Sequence, residues 1–140
     1  MSLWLVQEIN QAHSDSIWCA KFSPCGRMLA TAGKDATLKI WEIVSDDSSL
    51  LLQQTPVIEL KEHALDIIDV SWRSNSQMIL SCSFDQKVIL WNLEKKTPVY
   101  IFEHPDVVAQ ISFYRNAKQN YFVSGSLDCG LRVWDIRKKS

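Results

Sequence analysis

His13, His63 and His104 each open a stretch with the same order of residue types, and this internal repeat constrains the fold more than any other feature. The first stretch, HSDSIWCAKFSPCGRMLATAGKDATLKIWE, runs from His13 to Glu42. The second, HALDIIDVSWRSNSQMILSCSFDQKVILWN, runs from His63 to Asn92, and the third, HPDVVAQISFYRNAKQNYFVSGSLDCGLRVWD, from His104 to Asp135. An aspartate follows the histidine after 22 residues in the first two (Asp35, Asp85) and after 24 in the third (Asp128). Six residues beyond each aspartate stands a tryptophan: Trp41, Trp91 and Trp134. Four residues before it stands a hydroxyl, Thr31, Ser81 or Ser124, and nine after each histidine an aromatic, Phe22, Trp72 or Phe113. The chain is built by repetition.

Inside each unit the apolar period is two, the signature of strands. Leu38/Ile40, Val88/Leu90 and Leu131/Val133 fall on one face ahead of the tryptophans, with Lys39, Ile89 and Arg132 on the other. Turn residues bound these segments at Pro24-Cys25-Gly26, Arg73-Ser74-Asn75-Ser76 and Arg115-Asn116-Ala117-Lys118. Tight turns are expected at Gly-Lys-Asp35, Phe-Asp85-Gln and Leu-Asp128-Cys-Gly. Each unit supplies three strands. A fourth is predicted after the tryptophan, at Pro56–Lys61 in the first unit and Pro98–Phe102 in the second, with none after Asp135. Leu3–Glu8 is predicted as a similar strand ahead of the first histidine, and Ser45–Ser49 as an exposed loop. No segment has the pattern of an amphipathic helix.

Composition narrows the function. The 140 residues suit one compact domain, and 46% apolar with 22% charged residues is the balance of a globular protein. A formal charge of −1, with basic residues clustered only at Lys95-Lys96 and Arg137-Lys138-Lys139, argues against nucleic acid. No apolar run reaches the roughly 18–20 residues of a membrane helix, and MSLWLVQEIN lacks the form of a secretory signal. Direct membrane insertion is therefore not expected. The four cysteines, Cys19, Cys25, Cys82 and Cys129, form no CxxC pair and read as small hydrophobes in a reduced, intracellular protein. The histidines lie one per unit without a ligand set around them, so neither a metal nor another cofactor is expected.

Units of about 41–50 residues with four strands, an entry histidine and a closing tryptophan pair resemble WD repeats. The pattern departs from that family at Ala12, Glu62 and Glu103, where glycine usually precedes the histidine, and at the closing pairs Trp41-Glu42 and Trp91-Asn92. The resemblance implies an all-β chain of three four-stranded antiparallel β-propeller blades, the last one incomplete. It divides the chain into the strand 3–8, repeat one 13–62, repeat two 63–103 and repeat three 104–135, within a single region 1–140. The wording of HSDSIWCAKFSPCGRMLATAGKD, HALDIIDVSW and FVSGSLDCGLRVWDI is similar to the Rab-GTPase-binding WD-repeat proteins of recycling endosomes. That implies a cytoplasmic adaptor, peripheral on endosomal membranes through partners such as a Rab-type GTPase.

A hydroxyl, a histidine and an aspartate together also suggest a hydrolase triad. Three copies, none beside a glycine-rich oxyanion elbow, argue against it. The resemblance implies instead a buried structural tetrad in each repeat: Thr31-His13-Asp35-Trp41, Ser81-His63-Asp85-Trp91 and Ser124-His104-Asp128-Trp134. A non-catalytic protein-binding scaffold is the resulting expectation. Its partner site, carried over from the family, is one rim of the channel: Ser16, Trp18 and Lys34; Asp66, Ile68 and Phe84; Val107, Ala109 and Leu127. Trp18 and Ile68 could equally pack between blades. The ending Trp134-Asp135-Ile136-Arg137 offers an alternative, since it resembles the motif by which some WD proteins dock on cullin-RING ubiquitin-ligase adaptors. Propellers close with about four to eight blades. Three blades therefore imply either a longer chain or half of a dimeric propeller, with Leu3–Glu8 completing the third blade of a second copy.

Overall fold

The computed structural model describes residues 1–45, 48–116 and 118–138, and among these the regular structure is all β. Blade one comprises β1 (Ile17–Phe22), β2 (Met28–Gly33) and β3 (Leu38–Ser45), with β4 (Leu50–Leu52) and β5 (Ile58–Leu60) both paired to β3. Blade two is a four-stranded meander of β6 (Ile67–Trp72), β7 (Met78–Ser83), β8 (Lys87–Asn92) and β9 (Thr97–Glu103). Blade three has three strands, β10 (Val108–Phe113), β11 (Tyr121–Ser126) and β12 (Leu131–Asp135). All pairings are antiparallel.

The repeated aspartate makes the turn before each tryptophan strand. Ala36, Gln86 and Cys129, the residues after it, hold φ values of 60°, 69° and 65°, a left-handed conformation usually left to glycine. In each turn the aspartate Oδ1 accepts the backbone N–H two residues on: Thr37 at 3.1 Å, Lys87 at 3.1 Å and Gly130 at 2.8 Å. That Asx hydrogen bond offsets the backbone strain of a non-glycine residue.

The core lies between blades. β8 shows why: Ile89 and Trp91 point into a cluster shared with Leu38, Ile40, Ile67 and Trp72, while Val88 and Leu90 point into one shared with Val108, Phe113 and Phe122. Blade two is thus covered on both faces, and each fully buried Val, Leu or Ile there contributes about 1.5–3 kcal/mol. Polar ties reinforce the stack. The Trp72 indole N–H donates to the Lys21 carbonyl at 2.9 Å, and the Phe113 N–H to Ser71 Oγ at 2.9 Å. Asp69 on β6 reaches both neighbours, pairing with Lys21 Nζ at 2.7 Å and accepting the Ile111 N–H at 3.1 Å.

Several expectations need correction. Leu3–Glu8 is not a strand: blade one's outer edge is already occupied by β4 and β5, so the segment has no free backbone ladder to join. It is held through Gln7, whose side-chain amide donates to the Leu52 carbonyl at 2.8 Å and accepts the Leu52 N–H at 2.7 Å. The fourth strand of blade one is shorter than Pro56–Lys61 and shares its edge with β4, which was not anticipated. β3 continues through Ser45, past Trp41, and its extension needs a partner of its own. Ser45 therefore belongs to a strand, and Asp46 and Asp47 of the expected loop lie outside the described residues, as do Ala117 and Lys139 of the turn and basic cluster noted above. Only two thiols behave as small hydrophobes. Cys82 is buried and Cys19 half-buried, whereas Cys25 and Cys129 are exposed. Burial pushes the Cys19 thiol up to about 11 and that of Cys82 higher still. Hydrogen bonding from Ser23 first, then Ser76, lowers the Cys25 thiol to about 7.

Candidate interaction site

Two kinds of polar or apolar cluster recur once per blade, one inside and one on a rim. Inside blade one, His13 Nδ1 lies 2.9 Å from Asp35 Oδ2, and Nε2 lies 2.7 Å from Thr31 Oγ1. The Trp41 indole N–H donates to the same hydroxyl at 2.8 Å. A carboxylate only accepts, so Nδ1 carries the proton and Nε2 accepts from the hydroxyl, whose oxygen in turn accepts from the indole. Blade two repeats this arrangement: His63 Nδ1–Asp85 at 2.8 Å, Nε2–Ser81 at 2.7 Å and Trp91–Ser81 at 2.8 Å.

Burial alone would raise the Asp35 and Asp85 carboxyls, but the donors around them outweigh it and hold both below the usual carboxylate range. For Asp35 these are Thr37 and the Ser14 N–H besides His13; for Asp85, His63 together with the Ala64 and Lys87 N–H groups.

Asp128 does not complete the third set, contrary to expectation. His104 Nε2 and the Trp134 indole both meet Ser124 Oγ at 2.8 Å, but Nδ1–H donates to the Phe102 carbonyl at 3.2 Å. Asp128 is instead gripped by Arg132, which occupies the position of Lys39 and Ile89 in the other blades and draws the carboxyl down to about 2. Deprived of that acceptor, His104 is lowered from its ordinary pKa, mainly by burial.

The three hydroxyls are buried, and each is already engaged by an imidazole and an indole. A nucleophile must be able to reach a substrate, and none of these can. Among the described residues no group of three histidine, cysteine or carboxylate side chains could hold a metal ion.

The rim residues come together in pairs. Lys34 N–H donates to the Ser16 carbonyl at 2.8 Å, Phe84 to Asp66 at 3.0 Å and Leu127 to Val107 at 2.9 Å, so each predicted pair sits side by side at one end of its blade. The third position in each blade has a distinctive origin. The β1–β2 register jumps between Ile17 and Cys19, β6–β7 between Ile67 and Asp69, and β10–β11 between Val108 and Gln110. Trp18, Ile68 and Ala109 are therefore the extra residues of three equivalent β-bulges, a device that re-aims a side chain.

Exposure divides the set. Trp18 (53%), Phe84 (43%) and Leu127 (59%) are exposed, Ser16 and Lys34 are exposed, and Asp66, Ile68, Val107 and Ala109 are half-buried. Ile68 packs against the second core cluster. The Trp18 indole N–H donates to Asp66 Oδ2 at 2.9 Å, linking the rims of blades one and two. Leu65, 51% exposed, joins this end of blade two through its carbonyl, which accepts from Ser83 Oγ. It was missed because the carried-over positions skip the second residue after the histidine, where the other blades have Asp15 and Asp106. A leucine in that place was the available signal. The resulting apolar surface is edged by carboxylates and one lysine.

Arg137, the key to the alternative docking motif, is engaged within the chain. It pairs with Asp135, which it draws down to about 2, and reaches Tyr121 Oη at 2.8 Å. A cleft of about 490 Å³ lined by Cys25, Arg27, Met28, Glu42, Val57 and Ser76 includes none of the rim residues.

The family model for the WD domain, G-beta repeat, matches residues 5–42, 54–92 and 96–135. The chain belongs to the WD-repeat family. This WD-repeat chain is 29% identical to WD repeat-containing protein 44 of Xenopus laevis, across 96% of its own length and 20% of the relative's. It is 30% identical to an uncharacterised WD repeat-containing protein of Schizosaccharomyces pombe, covering 87% and 24%, and 27% identical to a WD repeat-containing protein 26 homolog of Arabidopsis thaliana, covering 92% and 21%. The chain thus spans about a fifth to a quarter of the length of these relatives.

Proposed function

We propose that this WD-repeat chain serves as a non-catalytic scaffold that holds a regulatory protein on the rim built from Trp18, Leu65, Phe84 and Leu127. The observation that carries the reading is the exposure of these large apolar side chains at one end of three adjacent blades. Water gains nothing from such a surface, and aromatic anchors dominate binding hot spots. The buried, doubly engaged hydroxyls favour scaffolding over hydrolysis. The partner we put first is a Rab-type small GTPase, on the resemblance of the repeat wording to Rab-binding WD proteins. Its place would be cytoplasmic, with endosomal membranes visited through the partner. No helix among the described residues is long and apolar enough to cross a membrane.

Titration calorimetry against a panel of Rab-type GTPases, each loaded with a GTP analogue or GDP, tests the proposal. Binding of one member in one nucleotide state is expected, weakened about tenfold or more by Phe84→Ala with Leu127→Ala. Absence of binding across the panel overturns the GTPase assignment. Binding that survives the double substitution overturns the rim.

A further inference from the structure

The same tripeptide occurs twice, as Thr55-Pro56-Val57 beside the outer strand of blade one and as Thr97-Pro98-Val99 in the outer strand of blade two. Both threonines are exposed, and both Thr-Pro bonds are trans. Proline fixes its own φ and confines the residue before it to extended conformations, so each pair offers a hydroxyl on a pre-extended backbone. A threonine followed by proline is the form of acceptor that proline-directed protein kinases take, bound as an extended segment in the kinase cleft.

The two copies sit in different surroundings. Thr97 opens β9 opposite Asn92, with Pro98 opposite Trp91, in a ladder of six registered pairs that completes blade two. To enter a kinase cleft it would have to peel away from β8, which carries the tetrad tryptophan Trp91. Thr55 instead lies between β4 and β5. The Gln53 N–H donates to the Glu42 carbonyl at 3.0 Å and the Val57 N–H to the Ile40 carbonyl at 2.8 Å, which pins the two ends of the connection. Between these ends, Gln54 and Thr55 make no hydrogen bond among the described residues, and Pro56 has no N–H to donate. The flanking ladders of β3 with β4 and of β3 with β5 have three registered pairs each, and short exposed ladders open locally more readily than a continuous strand.

The connection belongs to blade one alone. Between Trp41 and His63 lie 21 residues, against 12 between Trp91 and His104, and the surplus contributes β4 and the segment that holds Thr55. That segment runs along the outer edge of the blade, at the perimeter, where blades do not pack on one another. Its exposure therefore does not depend on what precedes or follows the three blades.

We infer that Thr55 is a phosphoacceptor for a proline-directed protein kinase, and that Thr97, with the same sequence around it, is not. In the transfer, Thr55 Oγ1 forms a bond to the γ-phosphorus of ATP as the bond from that phosphorus to the leaving oxygen of ADP breaks. The hydroxyl proton passes to the catalytic aspartate of the kinase. The product places about −1.5 to −2 charges on the outer edge of blade one. No tetrad or rim residue takes part, so the inference stands apart from the proposed partner.

Incubation of the folded 140-residue chain with a cyclin-dependent kinase and, separately, a mitogen-activated kinase, each with Mg-ATP, tests it by peptide mass spectrometry. Phosphate is expected at Thr55 with at least one enzyme, about tenfold or more faster than at Thr97. Thr55→Ala should remove the signal and Thr97→Ala should leave it. Pro56→Ala should slow it in a chain whose circular dichroism is unchanged. Synthetic peptides covering residues 50–60 and 92–102 serve as unfolded references and should be modified at similar rates. A folded chain that neither enzyme modifies overturns the inference, as does comparable modification of Thr97 or a Pro56→Ala chain modified as fast as the original. A preference for Thr55 already present in the peptides overturns the assignment of that preference to the fold.

Discussion

Blades two and three start from the same pattern of residues and surround the same histidine with different hydrogen bonds. In blade two, His63 spans Asp85 and Ser81, and Trp91 closes the set deep between two cores. In blade three, His104 turns to the Phe102 carbonyl, Asp128 belongs to Arg132, and Trp134 is only half-buried. Neighbours account for the contrast. β8 has β9 along its outer edge and blades on both sides, while among the described residues β12 has neither an outer strand nor a blade beyond it. Arg132 can lie along that open edge with its guanidinium on Asp128, where in blade two a buried isoleucine stands. The tetrad thus depends on what borders the tryptophan strand as much as on its four residues.

The hydroxyl substitution should break this comparison most visibly. Ser81→Ala leaves the Trp91 N–H and the His63 ring without their partner in a dry core, at about 1–3 kcal/mol for each orphaned group. A loss of about 3 kcal/mol is expected in chemical denaturation. Ser124→Ala orphans the same groups beside a tryptophan that water can reach, so about 1 kcal/mol is expected. Equal losses would mean that the environment of the set does not matter.

Next in size is the aspartate. Asp85→Asn exchanges a carboxylate that accepts from His63 and two backbone N–H groups for an amide with one acceptor, at about 1–2 kcal/mol. Asp128→Asn keeps the turn acceptor and forfeits a surface ion pair that solvent screens, so a smaller loss is expected. If both cost the same in thermal melts, Asp128 contributes more to blade three than its contacts allow.

Acid should separate the blades by pH. The Asp35 and Asp85 carboxyls are held below their unfolded value of about 3.9, so their contribution is complete above that pH and lost as pH falls through the depressed native values. His104 is depressed relative to an unfolded value of about 6.5. The stability linked to its neutral form is complete above that pH, and is lost as pH falls from there through its native pKa. Hydrogen exchange, corrected for intrinsic rate, should therefore quicken in β11 as pH falls below about 6.5 while β7 holds. Simultaneous loosening of both strands would contradict the assignment.

Much of this was legible in the residues, and what was not has a common cause. Period-two alternation and the fixed offsets from His13 and His63 point to the strands and to two complete tetrads, because those depend on local spacing and on neighbours the chain itself supplies. The bulges at Trp18, Ile68 and Ala109 were hidden, since two residues opposing one is a property of the pairing rather than of either strand. The diversion of Asp128 was hidden too. Arg132 sits in the right alternation for an outward residue, and only the bare edge of β12 makes its carboxylate contact available. Leu3–Glu8 reads as a strand by composition but pairs with no strand among the described residues.

The smallest expected effect is also the sharpest test of why the blades differ. Arg132→Ile gives blade three the residue that blade two carries at Ile89, removing the competitor for Asp128. His104 Nδ1–H would then have the carboxylate within the turn as an acceptor, as His63 has in Asp85. A neighbouring carboxylate favours the imidazolium, so the His104 pKa should rise relative to the unsubstituted chain, which NMR titration of its ring protons detects. Global stability should barely move, because one exposed ion pair is exchanged for one charge-assisted hydrogen bond. A His104 pKa that stays where it is would show that Arg132 merely occupies a carboxylate the histidine could never reach. The longer spacing of repeat three, 24 residues from histidine to aspartate where the others have 22, would then be what separates them.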